Sequence, residues 1–536
     1  MKLKHVVLVL ITIIAATNCV TSSEKEDTVA SEKSKTEKKQ AQEIFSKLHP
    51  EFYGRFETGI FDESACEIVA YHAGTKRIFC VNANSGGLII IDASNPASPT
   101  KIKDISFGEG EANSVAVNGD LVAIAVNAAN YHETSKKGHV VFTDLDGNIV
   151  KEVEAGYLPD MVTFTKDGKY VLAANEGEPS SDYSVDPIGS VTIIKVSDFS
   201  TKEITFSETD LKGDVRITGP EGTTVSQDIE PEYITVSPDG RKAFVACQEN
   251  NAIARIDITT ATLDGVFALG YKDHNIKGNG MDFAKDGEIK IENRPTLGMY
   301  MPDSVASFEA DGKTYVVTAN EGDDREYGDY EDATKVKKIE LDPVAFSAED
   351  IEWFKHSSLR VSKVNGDENG DSKFEKLYTF GGRSFTIFDE DMNLVFDSGD
   401  QFERTIAELH PETFGCSNTN LELESRIEKK SIEPEALTVG KIGEKTYAFI
   451  GLERDGGIMI YDITTPKESA FITYLSSRKY DAVVNADMEY DDTSTANTGD
   501  LAPEGMAFVP AENSPTGKAL LIVGNEVSGT VSIYQM

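Results

Sequence analysis

Carboxylates recur along this chain at two fixed places in one short phrase. The phrase is Pro-acid, a strand-like run, a turn, a second strand-like run and then a second acid. It reads PDMVTFTKDGKYVLAANE from Pro159, PEYITVSPDGRKAFVACQE from Pro231 and PDSVASFEADGKTYVVTANE from Pro302. It returns as PEALTVGKIGEKTYAFIGLE from Pro434 and PEGMAFVPAENSPTGKALLIVGNE from Pro503. The first acids are Asp160, Glu232, Asp303, Glu435 and Glu504, and the second are Glu176, Glu249, Glu321, Glu453 and Glu526. Brought to one place, they could not all stay ionised without a counter-charge. Arg325, Arg383 and Arg454 would supply it, as contacts for an anionic ligand, or a bound divalent cation would. Oxygen-only ligands favour Ca²⁺ or Mg²⁺ over zinc, and Ca²⁺ is the cofactor expected. The acids also have a plainer reading: Pro-Asp and Pro-Glu open strands well, and an acid can cap a tight turn without binding anything.

A second acidic constellation lies in Asn365-Gly366-Asp367-Glu368-Asn369-Gly370-Asp371. Asn365, Asp367 and Asn369 take the ligand positions of the first half of a calcium loop, Asp371 extends the run, and Gly370 makes the sharp turn. An EF-hand would place its bidentate Glu where Lys376 stands. The run is therefore either a short calcium loop of extracellular type or a solvated acidic loop. Other chemistry is missing. The chain has no G-x-S-x-G elbow, no H-E-x-x-H, no Walker loop and no full dinucleotide fingerprint, and its 8 His show no ligand spacing. Any catalysis would be metal-assisted, through carboxylates.

The elements that must position these acids are short strands. Tyr233, Thr235 and Ser237 alternate with Ile234 and Val236, and Pro238-Asp239-Gly240 turns the chain. Lys242–Ala246 returns, and Ala252–Asp257 follows as a third strand. Weaker copies from Cys66 and Asn113 bring the number of units to seven. The expected fold is all-β, a single seven-bladed β-propeller with long loop insertions, since a repeated unit cannot bury its apolar face alone. A pair of β-sandwiches would not explain why one phrase recurs. In a propeller the ends of the first and second strands emerge on one face beside the axis, so the acids should converge there. An acidic insertion over 323–376 lies within one blade, after which LYTFGGRSFTIFD should supply that blade's outer strands. Cys66 and Cys80 sit symmetrically about Ala73-Gly74 and are expected to face each other across a hairpin, where an exported protein would carry a disulfide.

The ends and the charge bound the function. Lys2 and Lys4 precede an apolar run from Val6 to Ala16, too short to span a bilayer, so 1–19 reads as a signal peptide. Cys19 stands as the lipidation site of a lipobox-like Ala16-Thr17-Asn18-Cys19, although Asn18 departs from the usual small residue. Residues 20–50 are charged and poor in aromatics, the composition of a disordered tether, and 51–536 form the propeller. With 52 Lys and Arg against 91 Asp and Glu, the net charge is −39. Such a surface repels phosphate backbones and anionic lipid, so nucleic acid is excluded as a partner. Membrane contact is expected only through a lipid anchor, with no transmembrane helix in the mature chain. The expected partner is an extracellular or surface ligand.

Longer phrases resemble a known family. AANEGEPSSDYSVDPIGSVTII from Ala173, KDHNIKGNGMDFAKDG from Lys272 and MYMPDSVASFEADGKTYVVTANEGDDREYGDY from Met299 are similar to the choice-of-anchor I family. So are LYTFGGRSFTIFD, GLERDGGIMIYDITTP and LAPEGMAFVPAENSPTGKALLIVGNEVSGTVSIY, and the repeat from Pro231 resembles the YVTN type of propeller. The resemblance implies a secreted or surface propeller. Its members carry labels that include alkaline phosphatase and mesenchyme-specific cell-surface glycoprotein. One departure stands out: where the family has Arg-Ser-Asp-Asp-Lys-Gly before Pro-Glu, this chain reads Ser425-Arg426-Ile427-Glu428-Lys429-Lys430-Ser431-Ile432-Glu433 before Pro434-Glu435. Two readings of function follow, a calcium-holding binding scaffold and a divalent-metal-dependent phosphoesterase.

Overall fold

A computed structural model describes residues 48–131 and 136–536. The signal segment, Cys19 and nearly all of the tether lie outside the described residues. Seven four-stranded antiparallel sheets follow one another along the chain, the fourth extended by a short parallel strand, Leu211–Lys212. Their innermost strands are Val69–His72, Glu111–Asn118, Pro159–Phe164, Ile234–Val236, Val305–Ala310, Pro434–Ile442 and Pro503–Val509. Each contacts the innermost strand of the next blade, and that of blade 7 contacts that of blade 1, so the ring closes about an axis. Closure is also made by hydrogen bonds. Glu51–Glu57 pairs antiparallel with Thr530–Gln535, so the start of the propeller supplies the outermost strand of its last blade. That arrangement ties the first and last segments of the propeller together through backbone hydrogen bonds.

Apolar residues from facing sheets fill the space between blades. Ile78, Ile89 and Ile91 of blade 1 pack on Leu520, Ile522 and Ile533 of blade 7. Leu172, Val191 and Ile193 of blade 3 pack on Val245, Ala254 and Ile256 of blade 4. The middle strands read as nearly unbroken apolar runs because both their faces are covered. Among the described residues, no helix is long and apolar enough to cross a membrane.

Two local expectations change. The hairpin of blade 1 pairs Val69 with Cys80 and His72 with Arg77, around a four-residue turn in which Lys76 has φ 57°. The axis of the hairpin is therefore shifted from Ala73-Gly74, and Cys66 lies before the first strand rather than opposite Cys80. The two thiols nevertheless meet, within hydrogen-bonding reach of each other in the buried cluster between blades 1 and 7, and both are free rather than joined in the expected disulfide. The second change is in blade 5. Of LYTFGGRSFTIFD, only Ser384–Asp389 joins the blade, followed by Leu394–Asp397. Tyr378–Thr379 instead pairs in parallel with Leu297–Met299 in a small separate sheet.

Candidate functional site: an acidic channel mouth

The first acid of each phrase is aimed by its backbone. In blades 3, 6 and 7 the register between the first two strands shifts around Asp160, Glu435 and Glu504, which leaves each acid as a bulged residue beside its proline. Asn113 holds the same place in blade 2. A bulge rotates a side chain out of the sheet's alternation, here toward the axis. In blades 1, 4 and 5 the equivalent residues Glu67, Glu232 and Asp303 donate their N–H groups to the carbonyls of Val81, Ala246 and Ala319 of the second strand. Each blade thus contributes one residue to an inner ring of six carboxylates and one amide.

The second acid is tied to the first by a strained residue. Leu158, Met301, Glu433 and Ala502, each preceding the proline, have φ of 48°, 44°, 49° and 58°. A left-handed conformation costs a non-glycine residue roughly 1–2 kcal/mol. It turns the carbonyl outward to meet the end of the second strand. The carbonyls of Leu158, Glu433 and Ala502 accept from the N–H of Glu176, Glu453 and Glu526, and that of Met301 accepts from Gly322 just after Glu321. A buried asparagine then wedges the second strand to the third. Asn175 donates to Thr192, Asn320 to Thr386 and Asn525 to Ser532, so each following Glu leaves the sheet at a fixed angle. The Asn-Glu pairs of blades 3, 5 and 7 were visible in the sequence as the signal of this device.

The acids meet in one cavity of 570 Å³. Asp160, Glu176, Glu232, Asp303, Glu321, Glu435, Glu453, Glu504 and Glu526 all line it, with Asp62, Asp323, Gln248, Asn418, Lys430 and Arg454. An adjoining cavity of 260 Å³ shares Asp160, Asp303 and Glu504 and adds Glu67 and Asn113. Several of these carboxylates touch channel solvent yet are surrounded by protein on every side. Burial, followed by repulsion from neighbouring acids, pushes Glu176, Glu232, Glu435 and Glu504 well above the usual carboxylate range. Asp303, Glu453 and Glu67 are pushed up to about 8, each chiefly by burial. Burial takes Asp160 to about 6 against a stabilising hydrogen bond from Asn113. Glu249, only 5% exposed, lies behind this wall and repels Glu232. Among the described residues, one buried oxygen each of Glu232, Glu249 and Glu435 has no hydrogen-bond partner.

The counter-charges differ from those expected. Arg454 does line the cavity, with Nη1 2.8 Å from Glu453 and Nε 3.0 Å from Glu433. Arg325 and Arg383 do not. A guanidinium without solvent needs carboxylates of its own, and each has found them elsewhere. Arg325 is held by Asp228 at 3.0 Å and Glu230 at 2.8 Å, and Arg383 by Glu403 at 2.7 Å and by the carbonyls of Asp282, Ile427 and Lys429. The second cation of the cavity is Lys430, from the divergent segment before Pro434. Burial opposes its charge, but Asp323, Glu321 and Glu433 outweigh burial and hold its pKa well above the ordinary value. Glu433 is held down at about 2 although it is buried, because Lys430, Arg454 and Arg426 surround it. Neither Lys430 nor Glu433 belongs to the repeat, so periodicity could not mark them. Their signal was the charge run itself.

Two groups of three carboxylates at the mouth bring one oxygen from each member within 4.8 Å of the others: Asp303–Glu321–Glu435 and Glu321–Glu433–Glu453. Oxygen donors at such spacing suit a hard divalent cation. The orphaned Glu435 oxygen belongs to the first group, so the residues present fit Ca²⁺ there. In the 365–375 loop the grouping is Asp367, Asp371 and Glu375. Asn365 is not part of it, because its side-chain oxygen accepts from Arg216 at 2.8 Å. Asn369 donates to Glu375 and accepts from the Asp371 N–H. Asp367 accepts from the N–H groups of Gly370, Asp371 and Ser372, as a turn-capping aspartate does.

The model of the choice-of-anchor I domain matches residues 67–466. Gigasin-3a of Magallana gigas is 29% identical over 182 residues, 31% of this chain and 60% of that protein. The mesenchyme-specific cell surface glycoprotein of Strongylocentrotus purpuratus is 27% identical over 281 residues, 45% of this chain and 35% of that protein. The chain therefore spans less than two thirds of the length of either relative. Among solved structures, Kuenenia stuttgartiensis hydrazine synthase aligns with 90% of this chain and 99% of its own at 12% identity and a TM-score of 0.46. The Myceliophteria thermophila Cps50 (Swd1) β-propeller domain aligns with 91% of this chain and 100% of its own at 9% identity and a TM-score of 0.44.

Proposed function

Because the chain belongs to the choice-of-anchor I family, we propose that it acts as a surface β-propeller whose acidic channel mouth holds Ca²⁺ and presents it to an extracellular ligand. A single observation carries this reading: nine acids from the repeated phrase line one cavity that, among the described residues, contains only two side-chain cations. Proximity at that density is costly unless protons or a metal offset it, and a divalent ion offsets it at neutral pH. A surface location is supported by the family and by similarity to a protein described as a cell surface glycoprotein. The apolar leader and Cys19 fit export and lipid anchoring at that surface.

The cation is held by Asp303, Glu321 and Glu435, and it inverts the local field so that an anionic or polyhydroxyl group can approach. The phosphoesterase reading draws on Arg454 in the cavity wall. Its guanidinium, however, is engaged by Glu433 and Glu453, and the Lys430 ammonium by Glu321 and Asp323, which favours binding over phosphate chemistry. The test is thermal unfolding of the purified chain with Ca²⁺ or with chelator, alongside Glu321→Gln/Glu435→Gln. Calcium at a hundred times its Kd should add about 2.7 kcal/mol of stability, chelator should reverse it, and the double variant should not respond. No response of the wild type to Ca²⁺ or Mg²⁺ would sink the reading. Metal-dependent turnover of p-nitrophenyl phosphate, lost in the same variant, would replace it with the phosphoesterase.

A further inference from the structure

The two carboxylate triads of the mouth share Glu321 but differ in what already sits among them. In Glu321–Glu433–Glu453 the space is filled by side-chain cations. Lys430 Nζ lies 2.7 Å from Glu321 Oε1, 3.2 Å from Asp323 Oδ1 and 3.4 Å from Glu433 Oε2. Arg454 covers Glu453 and the rest of Glu433, and Arg426 takes the second Glu433 oxygen at 2.7 Å. In Asp303–Glu321–Glu435 no ion pair reaches Asp303 or Glu435 among the described residues, and Glu435 Oε2 is buried without a partner.

Lys430 is placed there by its backbone rather than by chance reach. The N–H groups of Lys429 and Ser431 both donate to the Arg426 carbonyl, Ser431 has φ 65°, and the flanking Ile427 and Ile432 are buried. Lys430 is itself only 9% exposed. A divalent ion in the same triad would face an ammonium and a guanidinium at contact distance, with little water to screen them.

We infer that Lys430 sets the number of metal ions the mouth accepts, its ammonium standing in the Glu321–Glu433–Glu453 triad as a tethered cation so that a divalent ion enters only at Asp303–Glu321–Glu435. The inference rests on the cation-binding reading above and goes further, since it assigns a specificity-determining role to a residue outside the repeat. The ammonium is carried by the chain itself and never leaves the triad, which therefore stays filled with or without calcium in the medium. Only the other triad then responds to calcium.

Equilibrium dialysis of the full chain against Ca²⁺, with the metal measured per protein, tests it. The wild type should hold one high-affinity ion, Lys430→Met two, and Lys430→Arg one. A single ion in folded Lys430→Met would overturn the inference. Should that variant not fold, Glu453→Gln decides: its oxygen is already committed to Arg454, so calcium affinity should stay within about threefold, and a loss of about tenfold or more overturns the lysine's role. A wild type with no bound ion defeats the cation-binding reading itself. One ion in both the wild type and Lys430→Met defeats the lysine alone.

Discussion

The channel mouth and the 365–375 loop are both crowded with acids, and both match a pattern for calcium in the sequence, yet the fold treats their charges in opposite ways. In the loop the carboxylates are near water and already used: Asp367 caps the N–H groups of Gly370, Asp371 and Ser372, and Glu375 accepts from the Glu368 N–H and the Asn369 amide. In the mouth, carboxylates from five repeats are held close by bulges and left-handed residues, and among the described residues an oxygen each of Glu232 and Glu435 is left without a partner. An acid in a turn stabilises its own backbone. An acid held among other acids is stabilised only by something added, a proton or a cation.

The sharpest way to break this contrast is to neutralise each region separately. Glu321→Gln/Glu435→Gln should weaken calcium binding by a hundredfold or more, equivalent to about 2.7 kcal/mol, whereas Asp371→Asn/Glu375→Gln should change it less than about twofold. Isothermal titration calorimetry of both variants decides, and equal losses would dissolve the distinction.

A smaller effect should come from pH. Asp303, Glu453 and Glu67 are raised to about 8 and Asp160 to about 6 in the folded protein, above their unfolded values of ~4. Across that window the native state holds protons that the unfolded chain has released, so stability falls as pH rises toward about 8 and then levels off. In chelator, the melting temperature should be lower at pH 9 than at pH 6 by roughly 5 °C. Calcium should narrow the difference, because at Asp303 it takes the proton's place. A chelated protein that melts higher at pH 9 would mean that the mouth's own cations already balance it.

The smallest effect belongs to the loop. Asp371→Asn alone should shift stability by no more than about 0.5 kcal/mol, in calcium and in chelator alike. A calcium-dependent loss at this position, read by differential scanning calorimetry, would promote the loop to a second site.

Much of the site is legible in the chain itself. The proline-acid phrase marks Asp160, Glu232, Asp303, Glu435 and Glu504, and all five line the cavity. Glu67 and Asn113, in the weaker copies, complete the inner ring without a proline to announce them. The cations are less legible. Arg325 stands near Glu321 and Asp323 in sequence, but its side chain, like that of Arg383, runs into a buried pair, with Glu230 and Glu403 respectively. Lys430 stands in a divergent segment and reaches Glu321, which is distant in sequence. The hairpin of blade 1 is legible only in part: Cys66 lies before the paired strand, yet its thiol still reaches that of Cys80.

What the sequence by itself determined is the repeat: seven blades, each ending its first two strands beside the axis, with an acid recurring at those ends. That information is local, carried by alternation, turn residues and prolines that act within a few positions of themselves. Only the tertiary structure decided which charges face which. An ion pair is chosen by proximity in space and by exclusion of water, and both arise only when blades distant along the chain close into a ring.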